Sequence, residues 1–131
     1  MYSYKLDRKL DLLDELPPLT ESYPAMTILE GNPVQSGRID YLKCSDTVMA
    51  GEWCCTRGKF RLCYPFAEMS TILDGRIVVT DESGTSVTLV QGDSFFVGQG
   101  ETVEWEIIED MRKSHFTFFD QSVAVPAAAT G

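Results

Sequence analysis

The sequence predicts an all-β fold, a sandwich or barrel built from many short strands. From residue 34 to residue 120, apolar and polar residues alternate in short runs with a period of two, as they do in half-buried strands. Turns that contain glycine separate these runs at intervals of about eight to twelve residues, which is typical of sandwiches and barrels. A chain of 131 residues has the length of one domain and can bury a sufficient core without disulfides or metals.

The first 33 residues are predicted to form an amphipathic helix and an irregular arm. Leu6, Leu10 and Leu13 recur at i, i+4 and i+7 with charged residues between them, and the prolines at 17–18 end the pattern. The apolar stripe of this helix covers its own domain, a barrel mouth as a lid, or a partner subunit. Residues 19–37 are rich in proline and glycine and predict an arm without regular structure.

The barrel is predicted to span residues 34–120, and the small, uncharged tail at 121–131 is expected to fray. Turns are expected at Asp74-Gly75, at 81–84, at Gly92-Asp93 and at 98–100. The predicted strands lie at 38–42, 51–55, 60–64, 72–73, 76–80, 85–90, 94–97, 102–108 and 113–119.

Charge and cysteine usage exclude several classes of function. The formal net charge is -9, which disfavours nucleic acid and anionic membrane surfaces as partners. No apolar segment has the length of a signal peptide core or a membrane span, so we expect a cytoplasmic protein. The four cysteines are then expected to be thiols, and their spacing does not suggest a zinc site.

The histidine count is the most restrictive number in the sequence. His115 is the only histidine in the chain, so any mechanism that needs two or three imidazoles is excluded before a motif is considered.

Two motifs resemble those of the cupin superfamily. The first comprises Phe60-Arg61-Leu62-Cys63-Tyr64 and Glu68, with Gly75 seven residues after the glutamate. The second is the segment 92–100, Gly-Asp-Ser-Phe-Phe-Val-Gly-Gln-Gly, in which Gly98 stands at the position of the usual proline. This resemblance implies a single-domain cupin double-stranded β-helix, a jelly-roll barrel, preceded by a short N-terminal helix and arm.

Within the superfamily, the chain is most similar to the (S)-ureidoglycine aminohydrolase-type and ethanolamine-utilisation-type cupin domains, whose functions are largely unknown. The resemblance covers residues 34–119. It is carried by the two motifs and by a set of residues around them: Trp53, Gly58, Phe60, Arg61, Trp105, Glu106, Glu109, Arg112 and Lys113.

The resemblance also indicates where a metal would be bound. Metal-binding cupins carry histidines at positions that correspond here to Leu62, Tyr64 and Val103, so only Glu68 remains of the four ligands. A catalytic first-row metal normally needs about three protein ligands. We therefore predict no metal cofactor; the alternative is an atypical site in which His115, Tyr64, Glu68 and a cysteine or second glutamate converge.

We expect the inward-facing residues to line a cavity for a small-molecule ligand that is partly apolar or has one cationic or hydroxyl group. The predicted ligand-binding residues are Phe60, Leu62, Tyr64, Glu68, Val103, Trp105 and His115. Alternatively, these side chains simply fill a closed core.

Two functions remain open. The first is a metal-free, small-molecule-binding cupin, in which Glu68 can be held in a salt bridge with Arg61 or Lys113. The second is a small isomerase, hydrolase or lyase in which Glu68 and Tyr64 act as acid and base. A metal-dependent enzyme similar to ureidoglycine aminohydrolase is disfavoured, because that enzyme has two cupin domains and this chain has one. We also expect a homodimer, formed through edge strands or through the arm at 19–37.

Overall fold

Strands dominate the computed structural model, which describes residues 1–6, 13–23 and 25–123. In these residues the only helix is α1 (Leu19–Ser22), and none is long and apolar enough to cross a membrane. The strands are β1 (Asp14–Glu15), β2 (Thr27–Gly31), β3 (Gln35–Lys43), β4 (Val48–Cys55), β5 (Gly58–Cys63), β6 (Ala67–Thr80), β7 (Ser86–Val90), β8 (Ser94–Val97) and β9 (Thr102–Phe118).

The two longest strands, β6 and β9, organise the barrel. They pair with each other in antiparallel fashion along their whole length. On its other edge, each of them pairs with one strand along its first half and with a different strand along its second half. The first half of β6 pairs with β8 and the second half with β7, whereas β9 pairs first with β5 and then with β4. The sheet therefore folds over on itself into two layers, β1-β3-β4-β9-β6-β8 and β2-β5-β9-β6-β7, which confirms the predicted all-β barrel.

Two predicted strand breaks are wrong. The expected turn at Asp74-Gly75 is a bend within β6, and the strands expected at 102–108 and 113–119 are one strand, β9. Gly75 has a φ of 91°, and a Cβ atom at this position would lie 2.4 Å from the carbonyl oxygen of Asp110. Glycine is therefore required where β6 bends against β9, and the local sequence pattern does not distinguish such a bend from a chain reversal.

The N-terminal segment is more regular than predicted. The helix predicted from Leu6 to Leu13 falls largely on residues 7–12, which lie outside the described residues. The next residues form the strand β1 (Asp14–Glu15), which pairs with β3. The arm at 19–37, expected to be irregular, contains α1, the strand β2 and the start of β3. Because β2 pairs with β5 of the same chain, the arm extends the chain's own sheet. The frayed tail was predicted for 121–131; its last eight residues, 124–131, lie outside the described residues.

The core lies between the two layers, where strand parity predicted it. Phe60 pairs with Trp105 and Leu62 with Val103 in the β5–β9 ladder. With Tyr64 at the end of β5 and Ile107 on β9, these side chains are at most 5% exposed. The period-two alternation thus assigned the inner face of both strands correctly.

Candidate functional site

The positions that correspond to the cupin metal ligands are occupied by core residues. Leu62 and Val103 face each other across β5 and β9 and are both buried in the apolar cluster of the barrel. Tyr64 lies at the end of β5 and is equally buried. Its burial, with the nearby carboxylate of Glu68, raises the pKa of its hydroxyl well above the usual value. The phenol therefore remains protonated and is a poor anionic ligand.

Glu68 forms a buried ion pair with Lys113. The Lys113 ammonium contacts Oε1 of Glu68, and the Ser70 hydroxyl donates a hydrogen bond of 2.8 Å to the same oxygen. Both charged side chains are about 6% exposed. Of the two partners that the sequence suggested for Glu68, the structure selects Lys113, while Arg61 pairs with Glu104 at the surface.

Two tryptophans hold the ammonium group of Lys113 in place. Its Nζ lies 5.0 Å from the ring centroids of both Trp53 and Trp105, within the range of cation–π attraction. The two indoles pack edge to face, with centroids 5.7 Å apart. The ammonium group of Lys113 thus lies beside Glu68, the only residue of the cupin metal-ligand set that this chain retains.

These residues do not fit a metal. Of the four ligand positions only Glu68 carries a carboxyl group, and its Oε1 is already paired with an ammonium group. Within the described ranges, no three His, Cys, Asp or Glu side chains are grouped so that they could hold an ion. His115 and Glu68 are therefore not joined there by a cysteine or a second glutamate in the atypical site that the sequence left open, and Tyr64 lies in the core.

The centre of the barrel is nearly full. Phe60 stacks on Trp105 and Phe95 packs against its edge, which leaves a small cavity of only about 20 Å³. Such a volume holds about one water molecule. The cavity is lined by Leu19, Tyr23, Met26, Trp53, Phe60, Leu62, Tyr64, Pro65, Phe66, Glu68, Trp105 and Lys113.

Gln35 anchors the segment that closes this end of the barrel. Its side-chain amide donates hydrogen bonds of 2.7 Å to the carbonyl oxygen of Pro17 and to the hydroxyl of Ser22. Its Oε1 accepts a 2.8 Å hydrogen bond from the indole of Trp53. Sequence reasoning did not identify Gln35, because a lone glutamine at the start of a strand has no recognisable motif.

Glu68 and Lys113 also line an open pocket of about 500 Å³. It is lined by Asp14, Leu16, Pro17, Ser22, Tyr23, Gln35, Gly37, Arg38, Ile39, Met49, Glu52, Trp53, Phe66, Glu68, Lys113 and His115. Glu68, Trp53 and Lys113 also line the small cavity, so the pocket adjoins the filled core.

His115 supplies a neutral imidazole to this pocket. Burial, together with the charge of Lys113, lowers its pKa to about 4, so the ring is uncharged at neutral pH. Its Nδ1 is buried and has no hydrogen-bond partner within the described part of the chain. Such unpaired buried groups are rare in folded proteins and often mark functional positions.

The predicted ligand-binding residues are therefore distributed over different spaces. His115 lines the open pocket, Phe60, Leu62, Tyr64 and Trp105 line the small cavity, and Glu68 lines both. Val103 lines a separate groove of about 790 Å³ between β7 and β8. The polar residues of that groove belong to exposed or half-exposed strand ends and loops, so it lacks a buried polar anchor.

A family model and solved structures match this chain. The model described as the EutQ-like cupin domain matches residues 42–115. No match was found among curated proteins.

Among solved structures, a Pseudomonas syringae protein of unknown function from the DUF861 family is 25% identical, with a TM-score of 0.72. The match covers 82% of this chain and 45% of that one, so this chain spans less than half the length of that relative. The Clostridium difficile EutQ protein is 14% identical with a TM-score of 0.58, and the match covers 68% of this chain and 71% of that one. A putative ethanolamine utilization protein Q from Salmonella typhimurium is 18% identical with a TM-score of 0.55, over 67% and 70% of the two chains.

Proposed function

This chain belongs to the family of EutQ-like cupin domains, and from that premise we propose that it binds a small organic molecule without a metal. The proposed site is the open pocket whose inner end is formed by Glu68, Lys113 and His115.

The observation that carries the proposal is the combination of space and unpaired polar atoms at one place. Both donors to Glu68 reach Oε1, which leaves Oε2 without a donor from the described residues. Nδ1 of His115 is also unpartnered among the described residues, but it is buried, so Oε2 of Glu68 is the atom on which the proposal rests. A pocket of about 500 Å³ lies within the range of small-molecule sites, which are mostly apolar with a few convergent polar groups.

The lining favours a ligand with an apolar body and a neutral hydrogen-bond donor. Leu16, Ile39 and Met49 contribute apolar walls. The carboxylate of Glu68 accepts a hydrogen bond, and the uncharged ring of His115 forms part of the pocket wall. The neighbouring Lys113 ammonium repels a second cation, so an amide or hydroxyl group suits this end of the pocket better than an amine.

The position of Tyr64 supports binding over acid–base catalysis. Catalysis by Glu68 and Tyr64 requires both groups to reach one substrate in an accessible pocket. The only space that Glu68 and Tyr64 line together is the small cavity of about 20 Å³, which is too small for a substrate, and Tyr64 does not line the open pocket. In addition, Glu68 is engaged by Lys113, an arrangement that suits a binding site.

The proposal is tested by thermal unfolding with matched aromatic probes at millimolar concentration. Benzamide and benzyl alcohol have a donor on an apolar ring, whereas methyl benzoate only accepts. At ten times its dissociation constant, a probe is expected to raise Tm by about 3–6 °C. We expect benzamide or benzyl alcohol to stabilise the protein and methyl benzoate to have a much smaller effect.

Two variants test whether the rise in Tm comes from binding in the open pocket. Glu68→Gln removes the anionic acceptor, and Met49→Trp fills the pocket from its wall; both are expected to abolish most of the probe-induced shift. Glu104→Gln, in an exposed ion pair with Arg61, is the matched control and keeps the shift. Equal shifts for benzamide and methyl benzoate, or a shift that survives Met49→Trp, would contradict the proposal.

A further inference from the structure

The groove of about 790 Å³ between β7 and β8 is an opening in the wall of the barrel. The side chains that strand parity directs inward on these two strands are those of Val87, Leu89, Phe95 and Val97. Leu89 and Val97 are buried, but Val87 is 50% exposed and Phe95 is only partly buried. Because inward-facing apolar side chains remain accessible here, the interior of the barrel is uncovered along this side.

Both strands that border the groove have a free edge. Among the described residues, β7 and β8 each pair only with β6, so no strand lies beside the other edge of either one. At the end of β7, the backbone of Val90 exchanges hydrogen bonds of 2.9 Å with Asp93. Ser86 and Thr88, earlier on the same strand, are exposed. The exposed edge of a sheet can pair with another extended chain.

One end of the groove is acidic. The described residues that line the groove include Asp81, Glu82 and Glu101 but no lysine, arginine or histidine. Glu82 accepts a hydrogen bond from the backbone N–H of Thr102, which joins the loop of Asp81 and Glu82 to the chain next to Glu101. The hydrogen bonds that described residues donate to these carboxylates reach one oxygen of each: Oδ1 of Asp81, Oε1 of Glu82 and Oε2 of Glu101. The other oxygen of each carboxylate can therefore meet a cation from outside.

The groove continues beyond its acidic end. A second hollow of about 350 Å³ extends it along the start of β9 as far as Glu104. The residues that line both spaces are Asp81, Glu82, Thr102 and Val103. An elongated, open depression beside a free strand edge suits an extended chain, which pairs with the edge and places alternate side chains in the depression.

Charge complementarity specifies the occupant further. The apolar walls favour a segment with apolar residues at alternate positions, and the carboxylates favour lysine or arginine next to them. A second copy of this chain is a poor occupant, since both copies would have a net charge of -9. Nucleic acids and anionic membranes are repelled by the same carboxylates.

We propose that the groove between β7 and β8 is a docking site for an extended, basic segment of a partner protein. The segment adds as a strand to the free edge of β7, and every second side chain points inward onto Val87 and Phe95. A lysine or arginine at the end of the segment pairs with Asp81, Glu82 and Glu101. The groove shares no lining residue with the open pocket proposed for a small molecule, so the two proposals are tested separately.

Fluorescence anisotropy with a rhodamine-labelled peptide tests the proposal. The probe is Lys-Lys-Val-Thr-Val-Thr-Val-Lys-Lys-amide, whose five central residues match the length of β7 and whose basic ends suit either strand direction. In about 50 mM sodium chloride we expect a dissociation constant below about 100 μM, which increases in about 500 mM salt because the attraction between charges is screened. Replacing the four lysines by glutamate, or the three valines by serine, should abolish binding.

Variants of the groove test the charge and the apolar wall in turn. In Asp81→Asn/Glu82→Gln/Glu101→Gln, each amide keeps an oxygen that accepts the existing hydrogen bond and loses only the charge. This variant should raise the dissociation constant at least about 10-fold. Val87→Lys places a cation on the wall of the groove and should abolish binding. If Val87→Lys does not fold by circular dichroism, the amide variant alone decides.

The control Glu15→Gln/Glu30→Gln/Asp46→Asn removes three exposed carboxylates outside the groove. It changes the net charge by the same amount as the amide variant and should alter the dissociation constant less than about 3-fold. No binding of the probe, an equal loss in the control, or binding that survives folded Val87→Lys would overturn the proposal. Displacement of the probe by n-hexylammonium chloride at the affinity of the unlabelled peptide would also overturn it, because a small cation would then suffice.

Discussion

Replacing Lys113 by methionine tests whether the ammonium group is an integral part of the barrel interior. The substitution keeps most of the side-chain volume but removes the cation from between Trp53 and Trp105, leaving the Glu68 carboxylate without its ion partner. Breaking a buried ion pair by removing one partner costs about 3–5 kcal/mol. A domain of this size is stable by about 5–15 kcal/mol, so Lys113→Met should lower the free energy of unfolding by a large fraction of the total.

The double variant Lys113→Met/Glu68→Gln separates the unpaired charge from the loss of packing. The neutral amide oxygen of glutamine still accepts the hydrogen bond from Ser70, and no carboxylate remains to be neutralised. We expect the double variant to be at least about 2 kcal/mol more stable than the two single effects added together. The free energies come from urea unfolding followed by far-ultraviolet circular dichroism, because removing the ammonium changes tryptophan fluorescence directly.

The exposed pair of Arg61 and Glu104 is the matched control. It joins neighbouring strands at 3.2 Å but is about 40% exposed, so Arg61→Met should change the free energy of unfolding by less than about 1 kcal/mol. A loss below about 1 kcal/mol for Lys113→Met, or additive single effects in the double variant, would refute the reasoning.

Three further predictions follow from individual contacts. The pKa of His115 is lowered to about 4 in the folded state, so as the pH falls the unfolded chain protonates this imidazole before the folded chain does. The free energy of unfolding should therefore decrease by about 2 kcal/mol between pH 7.5 and pH 5. His115→Gln should remove that part of the slope in urea unfolding at the two pH values; an unchanged slope would contradict it. Gln35→Ala should cost about 3 kcal/mol and speed hydrogen exchange in α1, since it leaves the buried indole of Trp53 unpaired; normal protection of α1 would count against this role. Gly75→Ala should lower the free energy of unfolding by denaturant by at least about 3 kcal/mol, because the new Cβ would lie 2.4 Å from the backbone. Gly84→Ala is the control, since Gly84 has a similar φ but open space around it, and it should cost only about 1 kcal/mol. Similar losses for both variants would show that the bend does not require glycine.

The inner face of the barrel could be predicted because strand geometry is periodic. Alternation alone places Phe60, Leu62 and Tyr64 on one face, and the same rule places Val103 and Trp105 on the facing strand. It could not show that β6 and β9 bend without reversing, because that outcome depends on the contact between Gly75 and Asp110 far along the chain.

The site was harder to predict than the fold. The sequence identified Glu68 and suggested Lys113 as a partner, because both lie in recognisable motifs. It could not predict that the open pocket, where we propose a ligand binds, lies outside the aromatic core, since that depends on the contacts of Gln35 with the segment from Pro17 to Ser22. Contacts of this kind join distant residues through a single side chain and have no periodic signature.

Ligand titration followed by nuclear magnetic resonance tests the binding pocket most directly. The chain has one histidine and two tryptophans, so the imidazole of His115 and the indole N–H groups of Trp53 and Trp105 can each be assigned. His115 and Trp53 line the open pocket, whereas Trp105 lines the small cavity and not the pocket. We predict that benzamide shifts the resonances of His115 and Trp53 most and that of Trp105 less. The largest shift at Trp105, or no shift at any of the three, would contradict binding in this pocket.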